Sequence, residues 1–241
     1  MSREIIITAS AGALAGAAAR NIASVLHEAI ARRARASICL TGGSTPKPTY
    51  ELLAGSAGTS VDWSQTDIWF GDERCVPPDH KDSNFCMANA ALISRVPVPG
   101  ERVHRIPGED GAREAAQSYD SALREHYSGD QTAPTFDILL LGVGPDGHIA
   151  SLFPGSQSLG ETARWVVGTQ APDGMPVQER VSVTIPVFNR ARHVMFLVEG
   201  AGKRGVLESI LVHGTLLPAA LVHGLERTTW MMDETAAPPG I

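Results

Sequence analysis

The sequence predicts an α/β fold, a mostly parallel sheet with helices on both faces, built as a single domain over residues 1–241. Two observations carry that expectation. Short β-rich runs alternate with helix-like stretches, and several of those runs are apolar at consecutive positions. Such alternation builds βαβ units, and a strand apolar on both faces belongs in a sheet covered on both sides.

The β-rich runs fall at residues 4–8, 37–41, 66–70, 136–142, 181–185, 193–199 and 229–233. Helix-like stretches occupy 11–33, 46–53, 84–93, 112–126 and 201–211. In the first of these, Ile22, Val25, Leu26, Ala29 and Ile30 recur at three- and four-residue spacing, which draws one apolar stripe along a helix. Arg32, Arg33 and Arg35 follow, and cations suit the partial negative charge at a helix C-terminus. The run Ile138, Leu139, Leu140, Leu141 has no polar face, as a doubly buried strand requires. Residues 155–178 are rich in Gly, Pro, Ser and Thr and read as a long functional loop, not a linker.

Composition narrows the function classes. A hydrophobic fraction of 43% with 19% charged residues describes a globular chain. The formal net charge of −6 argues against nucleic acid or an anionic membrane surface as a partner. Arginine is the default cation, with 17 Arg against Lys47, Lys81 and Lys203 alone. Cys39, Cys75 and Cys86 have no metal-finger spacing and read as reduced thiols, which points to the cytoplasm. Residues 5–19 are apolar and superficially mimic a leader peptide, but Glu4 offsets Arg3, so the segment reads as the first strand and helix.

Open parallel sheets bind ligands beyond the carboxyl ends of their strands. Four expected strand ends carry polar or Gly-rich sequence. Thr41-Gly42-Gly43-Ser44-Thr45-Pro46 offers close backbone approach, hydroxyls and amides for an anion, or else a plain tight turn. Gly71-Asp72-Glu73-Arg74 sets three charges after an apolar run. There Arg74 has the planar fork that suits phosphate or carboxylate, although a salt-bridged loop would look alike. Ser83 and Asn84 read as a helix N-cap. The third segment, Gly142-Val143-Gly144-Pro145-Asp146-Gly147-His148, puts an imidazole and a carboxylate in one loop. A neutral imidazole can take a proton from water near physiological pH. The carboxylate of Asp146 would orient the ring, or hold backbone amides instead. The fourth, Glu199-Gly200-Ala201-Gly202-Lys203-Arg204, places a scarce lysine at the start of a helical stretch. His80, His104, His126, His193, His213 and His223 lack the paired spacings of zinc sites, and a G-x-S-x-G nucleophile elbow is missing.

In this order the four segments resemble the 6-phosphogluconolactonase family and its relative, glucosamine-6-phosphate deaminase. The stretches GDER at 71–74 and GVGPDGHIASLFPG at 142–155 are the most specific. Deaminases resemble G-H-I-A-F-N-E-P at the second stretch. Here His148-Ile149-Ala150-Ser151-Leu152-Phe153-Pro154 leaves an apolar residue at the position of the deaminase Glu, which is similar to the lactonase form.

The resemblance implies a modified Rossmann-like sheet and hydrolysis of 6-phospho-D-glucono-1,5-lactone to 6-phosphogluconate, the second step of the oxidative pentose phosphate pathway. It implies His148 as general base with Asp146 beside it. Gly42, Gly43, Ser44, Thr45, Asp72, Arg74 and Lys203 would bind the phosphorylated sugar. No cofactor or metal is implied, and the chain is expected to be a monomer or a dimer. The alternatives are a deaminase-isomerase acting on glucosamine 6-phosphate and a sugar-phosphate sensor that binds without turnover.

Overall fold

A computed structural model of the chain describes residues 2–127 and 134–241. In chain order the elements are β1 (Ser2–Thr8), α1 (Ala11–Arg33), β2 (Ala36–Leu40), α2 (Lys47–Leu53), β3 (Thr66–Phe70), β4 (Asp72–Arg74) and α3 (Asn84–Ala91). There follow α4 (Ala112–His126), β5 (Ile138–Leu141), β6 (Val166–Gln170), β7 (Glu179–Val183), α5 (Ile185–Phe188), β8 (His193–Val198), α6 (Arg204–Leu211) and β9 (Arg227–Asp233).

The main sheet has six strands in the order β1-β9-β8-β5-β2-β3, and every pairing is parallel. Its inner strands β2 and β5 are buried at every position, as the unbroken apolar run of β5 requires; in β2 the one polar residue, Ser37, is bonded to Asp137. Helix α1 packs on β1, β2 and β9 with Leu14, Ala18, Ile22 and Leu26 buried along one stripe. Its start is capped by Ser10, whose Oγ accepts from the Ala13 amide at 3.2 Å. Its end turns at Ala34 in the left-handed region, φ 63°. There Arg33 reaches the buried carboxylate of Asp137, which also accepts from the Ser37 amide at 2.8 Å. One core cluster draws side chains from both sheets.

The second sheet departs from the sequence expectation. Strands β4, β7 and β6 form a three-stranded antiparallel sheet. The GDER segment is therefore part of a strand and not a loop. Residues 155–178 contain β6. Helix α4 packs across β6 and β7. The carboxylate of Asp120 on α4 accepts from the Trp165 and Val166 amides at 2.8 and 3.2 Å, so the small sheet is tied down at its outer strand. Among the described residues no helix is long and apolar enough to cross a membrane.

Candidate active site

The loops after β2, β3, β5 and β8 converge at the carboxyl edge of the main sheet and open onto one cavity of about 470 Å³. Gly42, Gly43, Ser44 and Thr45 line it from the first loop, Asp72 and Arg74 from β4, and His148 and Lys203 from the other two. Asp146 does not line the cavity and meets it through His148.

His148 is fixed by its own loop. Its Nδ1 lies 2.5 Å from Asp146 Oδ1, and its backbone amide donates to the same oxygen at 3.2 Å. Burial pushes the Asp146 carboxyl up, but those contacts with His148 outweigh it and hold the pKa below its ordinary value. A carboxylate on Nδ1 selects the tautomer that carries its proton there, so Nε2 keeps its lone pair. Gly144 makes this closeness possible: a Cβ there would sit 2.1 Å from His148 Nδ1. The Gly144 amide donates to the His148 carbonyl at 2.8 Å and closes the loop. Beyond it Ala150 has φ 47°, a strained conformation for a residue with a Cβ. The ring of Phe153 lies 4.6 Å from the imidazole and walls one side.

The rest of the cavity is strongly charged. Lys203 Nζ donates to the Val143 carbonyl at 2.7 Å, which ties the β8 loop to the histidine loop. Burial lowers its pKa, and Asp146 opposes the shift. Arg74 donates to the Asp82 carbonyl at 2.6 Å, while its buried Nε has no partner. Among the described residues, no hydrogen bond takes the amides of Gly43, Ser44 or Thr45. These open donors suit an anion.

Asp72 is buried and opposite in sign. Its carboxylate accepts from Ser151 Oγ at 2.7 Å and from Asn84 Nδ2 at 3.1 Å. Next to it, Glu73 accepts from Asn84 N at 2.6 Å, Phe85 N and Arg74 N each at 2.8 Å, and Ser83 Oγ at 3.0 Å. Ser83 is the N-cap, as the sequence suggests, with Oγ accepting from the Cys86 amide at 3.1 Å. Asn84 is more than a cap: its side chain enters the cavity wall with Oδ1 buried and unpartnered, in the space a Cβ on Gly42 would fill.

Sequence reasoning missed Arg180. It is 6% exposed, lines the cavity from β7, and donates from Nε and Nη2 to the carbonyls of Val177 and Pro176 at 2.6 and 2.7 Å. No motif marks it, because it reaches the site only through the pairing of β7 with β4. Away from this cavity, Asp67, His104 and His126 bring potential metal-ligating atoms within 4.8 Å of one another.

Fold and site together define an α/β protein with a charged cavity set against a histidine–aspartate pair. The family model for glucosamine-6-phosphate isomerases/6-phosphogluconolactonase matches residues 9–230, and the chain belongs to that family. Its relatives include the 6-phosphogluconolactonase of Mycobacterium leprae, 36% identical over 98% of both chains. The Streptomyces coelicolor 6-phosphogluconolactonase is 37% identical over 93% of this chain and 89% of its own. Among solved structures, the 6-phosphogluconolactonase from Trypanosoma cruzi superposes with a TM-score of 0.84 at 30% identity, over 98% of this chain and 96% of that one.

Proposed function

We propose that the chain hydrolyses 6-phospho-D-glucono-1,5-lactone to 6-phosphogluconate, with His148 as general base. The observation that carries this reading is the His148–Asp146 pair set beside a cavity lined by the cations Arg74 and Lys203 and by the open amides of Gly43 to Thr45. The relatives named above are 6-phosphogluconolactonases along nearly their whole length, which supports the same substrate.

In the proposed reaction His148 Nε2 takes a proton from water as the oxygen bonds to the lactone carbonyl carbon. The carbonyl electrons move onto oxygen. When the tetrahedral adduct collapses, the bond to the ring oxygen breaks and the imidazolium returns its proton to that oxygen. Asp146 holds the ring tautomer and stabilises the imidazolium. Lys203, Arg74 and the amides of Gly43 to Thr45 hold the phosphate, with Arg180 as a further cation. That grip fixes the carbonyl relative to the base. Asp72 carries the wrong charge for phosphate. With Asn84 Oδ1 it is suited to accept hydrogen bonds from the sugar hydroxyls. Phe153 puts an apolar wall where the deaminase pattern has a glutamate, which favours lactone opening over deamination.

The test is hydrolysis of freshly prepared lactone, followed by acid release and corrected for spontaneous opening. The chain should accelerate hydrolysis of the phosphorylated lactone and act far more weakly on unphosphorylated gluconolactone. Lys203→Ala should raise KM with a smaller effect on kcat, because phosphate grip is shared by ground and transition states. Ammonia release from glucosamine 6-phosphate, with no lactone hydrolysis, would overturn the reading.

A further inference from the structure

We propose that Asp67, His104 and His126 form a zinc-binding site with three protein ligands, separate from the cavity of the proposed reaction. The three residues are far apart in sequence and come from different elements. Asp67 is in β3, His104 follows the turn Gly100–Arg102, and His126 ends α4. Asp67 stands near the amino end of its parallel strand, at the edge of the sheet opposite the histidine loop.

The geometry is close to that of a bound ion. Asp67 Oδ1 lies 3.3 Å from His104 Nε2, and Oδ2 lies 3.9 Å from His126 Nε2. Zinc–nitrogen and zinc–oxygen bonds of about 2.0–2.2 Å in a tetrahedron put neighbouring ligand atoms roughly 3.4 Å apart. Small side-chain rotations therefore suffice. Two imidazoles and one carboxylate form a borderline donor set that favours zinc over magnesium or calcium. Asp67 and His126 also line an adjoining cavity of about 140 Å³, together with Arg33, Arg35, Asp137 and Arg192, with room for a water ligand.

The supports of the cluster are already in place. Trp69 stacks on the His104 ring at 3.8 Å and meets the His126 ring edge-on at 5.1 Å, so both imidazoles are held. Existing contacts compete: His104 is hydrogen-bonded to Asp67, Arg35 acts electrostatically on His126, and Arg102 Nη1 is 3.2 Å from Asp67 Oδ2. The Arg102 side chain is 28% exposed on a short turn, so the guanidinium can swing to solvent when a cation takes its place. The ion would then join β3 to the end of α4, the helix that carries β6 and β7.

Cobalt(II) serves as the spectroscopic probe, added to the full chain after EDTA treatment. One equivalent should give visible d–d bands of a four-coordinate site, quench tryptophan emission through Trp69, and be displaced by zinc. Binding should weaken by at least about tenfold, the loss that removal of even an outer-shell partner produces, in His104→Gln and His126→Asn. It should persist in His148→Asn. In the unaltered chain, zinc should shield His104 and His126 from diethyl pyrocarbonate and leave the exposed His213 reactive, as read by mass spectrometry. The proposal is overturned if the unaltered chain gives neither bands nor shielding, if binding survives both histidine substitutions, or if it is lost in His148→Asn.

Discussion

The position of one imidazole depends on a hydrogen atom at Gly144. A methyl group there would sit 2.1 Å from His148 Nδ1 and 2.7 Å from Asp146 Oδ1, so Gly144→Ala must push the pair apart. Gly144→Ala should therefore lose kcat by about 10²-fold or more, the low end of a general base's contribution. Circular dichroism should show the fold retained, because the loop lies outside the main sheet. Near-normal kcat in this variant would mean that the pair's geometry is not what matters. At this scale much of the site was legible. His148, Asp146, Arg74 and Lys203 are charged or titratable residues just after apolar runs, and Lys203 is one of only three lysines, which is what marks them. Asn84 was legible only as a cap, since its second role depends on the gap left by Gly42 across the cavity.

Short elements carry the site and depend on buried carboxylates. The Glu73 side chain receives four donors, three of them backbone amides, and so clamps the start of α3 to β4. Burial pushes its carboxyl up, partly offset by those bonds. Glu73→Gln turns one acceptor oxygen into a donor facing donors. It should cost about 1–3 kcal/mol, the penalty for an unsatisfied buried group, seen as a lower Tm. An unchanged Tm would contradict the clamp. Asp233 does similar work at the end of β9. Its Oδ1 accepts from the Gly200 and Ala236 amides, each at 3.0 Å, which anchors the segment leading to Lys203. Burial raises the Asp233 pKa, but its hydrogen bonds outweigh this and hold it below the ordinary value. A depressed native pKa contributes stability above the unfolded value, and that stability is lost as pH falls through the native pKa. The fall in Tm below about pH 4, the ordinary carboxylate range, should thus be shallower in Asp233→Asn than in the parent chain. An identical acid slope would contradict the anchor.

For the molecule as a whole, the parallel sheet was legible and the small antiparallel sheet was not. Strands β5 and β8 announce themselves as apolar runs because the sheet buries both their faces, and β2 and β3 do so over most of their length. Strand β4 consists of Asp72, Glu73 and Arg74, residues that no strand propensity favours; Asp72 and Arg74 line a charged cavity, and Glu73 clamps the start of α3. Strand β6 has Gly168 at its centre, where a Cβ would meet the Ala112 carbonyl oxygen on α4 at 2.8 Å. Packing, not propensity, chose that residue. The same tertiary logic hides the Asp67–His104–His126 cluster, which exists only once β3 and α4 are brought together. The two edges of the main sheet thus hold different chemistry, with open backbone amides and the His148–Asp146 pair at the carboxyl edge and the Asp67–His104–His126 cluster at the other. The most direct measurement is the turnover of fresh 6-phosphogluconolactone by His148→Ala at saturating substrate. Expected is a kcat lower by about 10²–10⁴-fold, the usual contribution of a general base, with the fold intact. A folded His148→Ala protein that keeps nearly full kcat would contradict the assignment of His148 as the base.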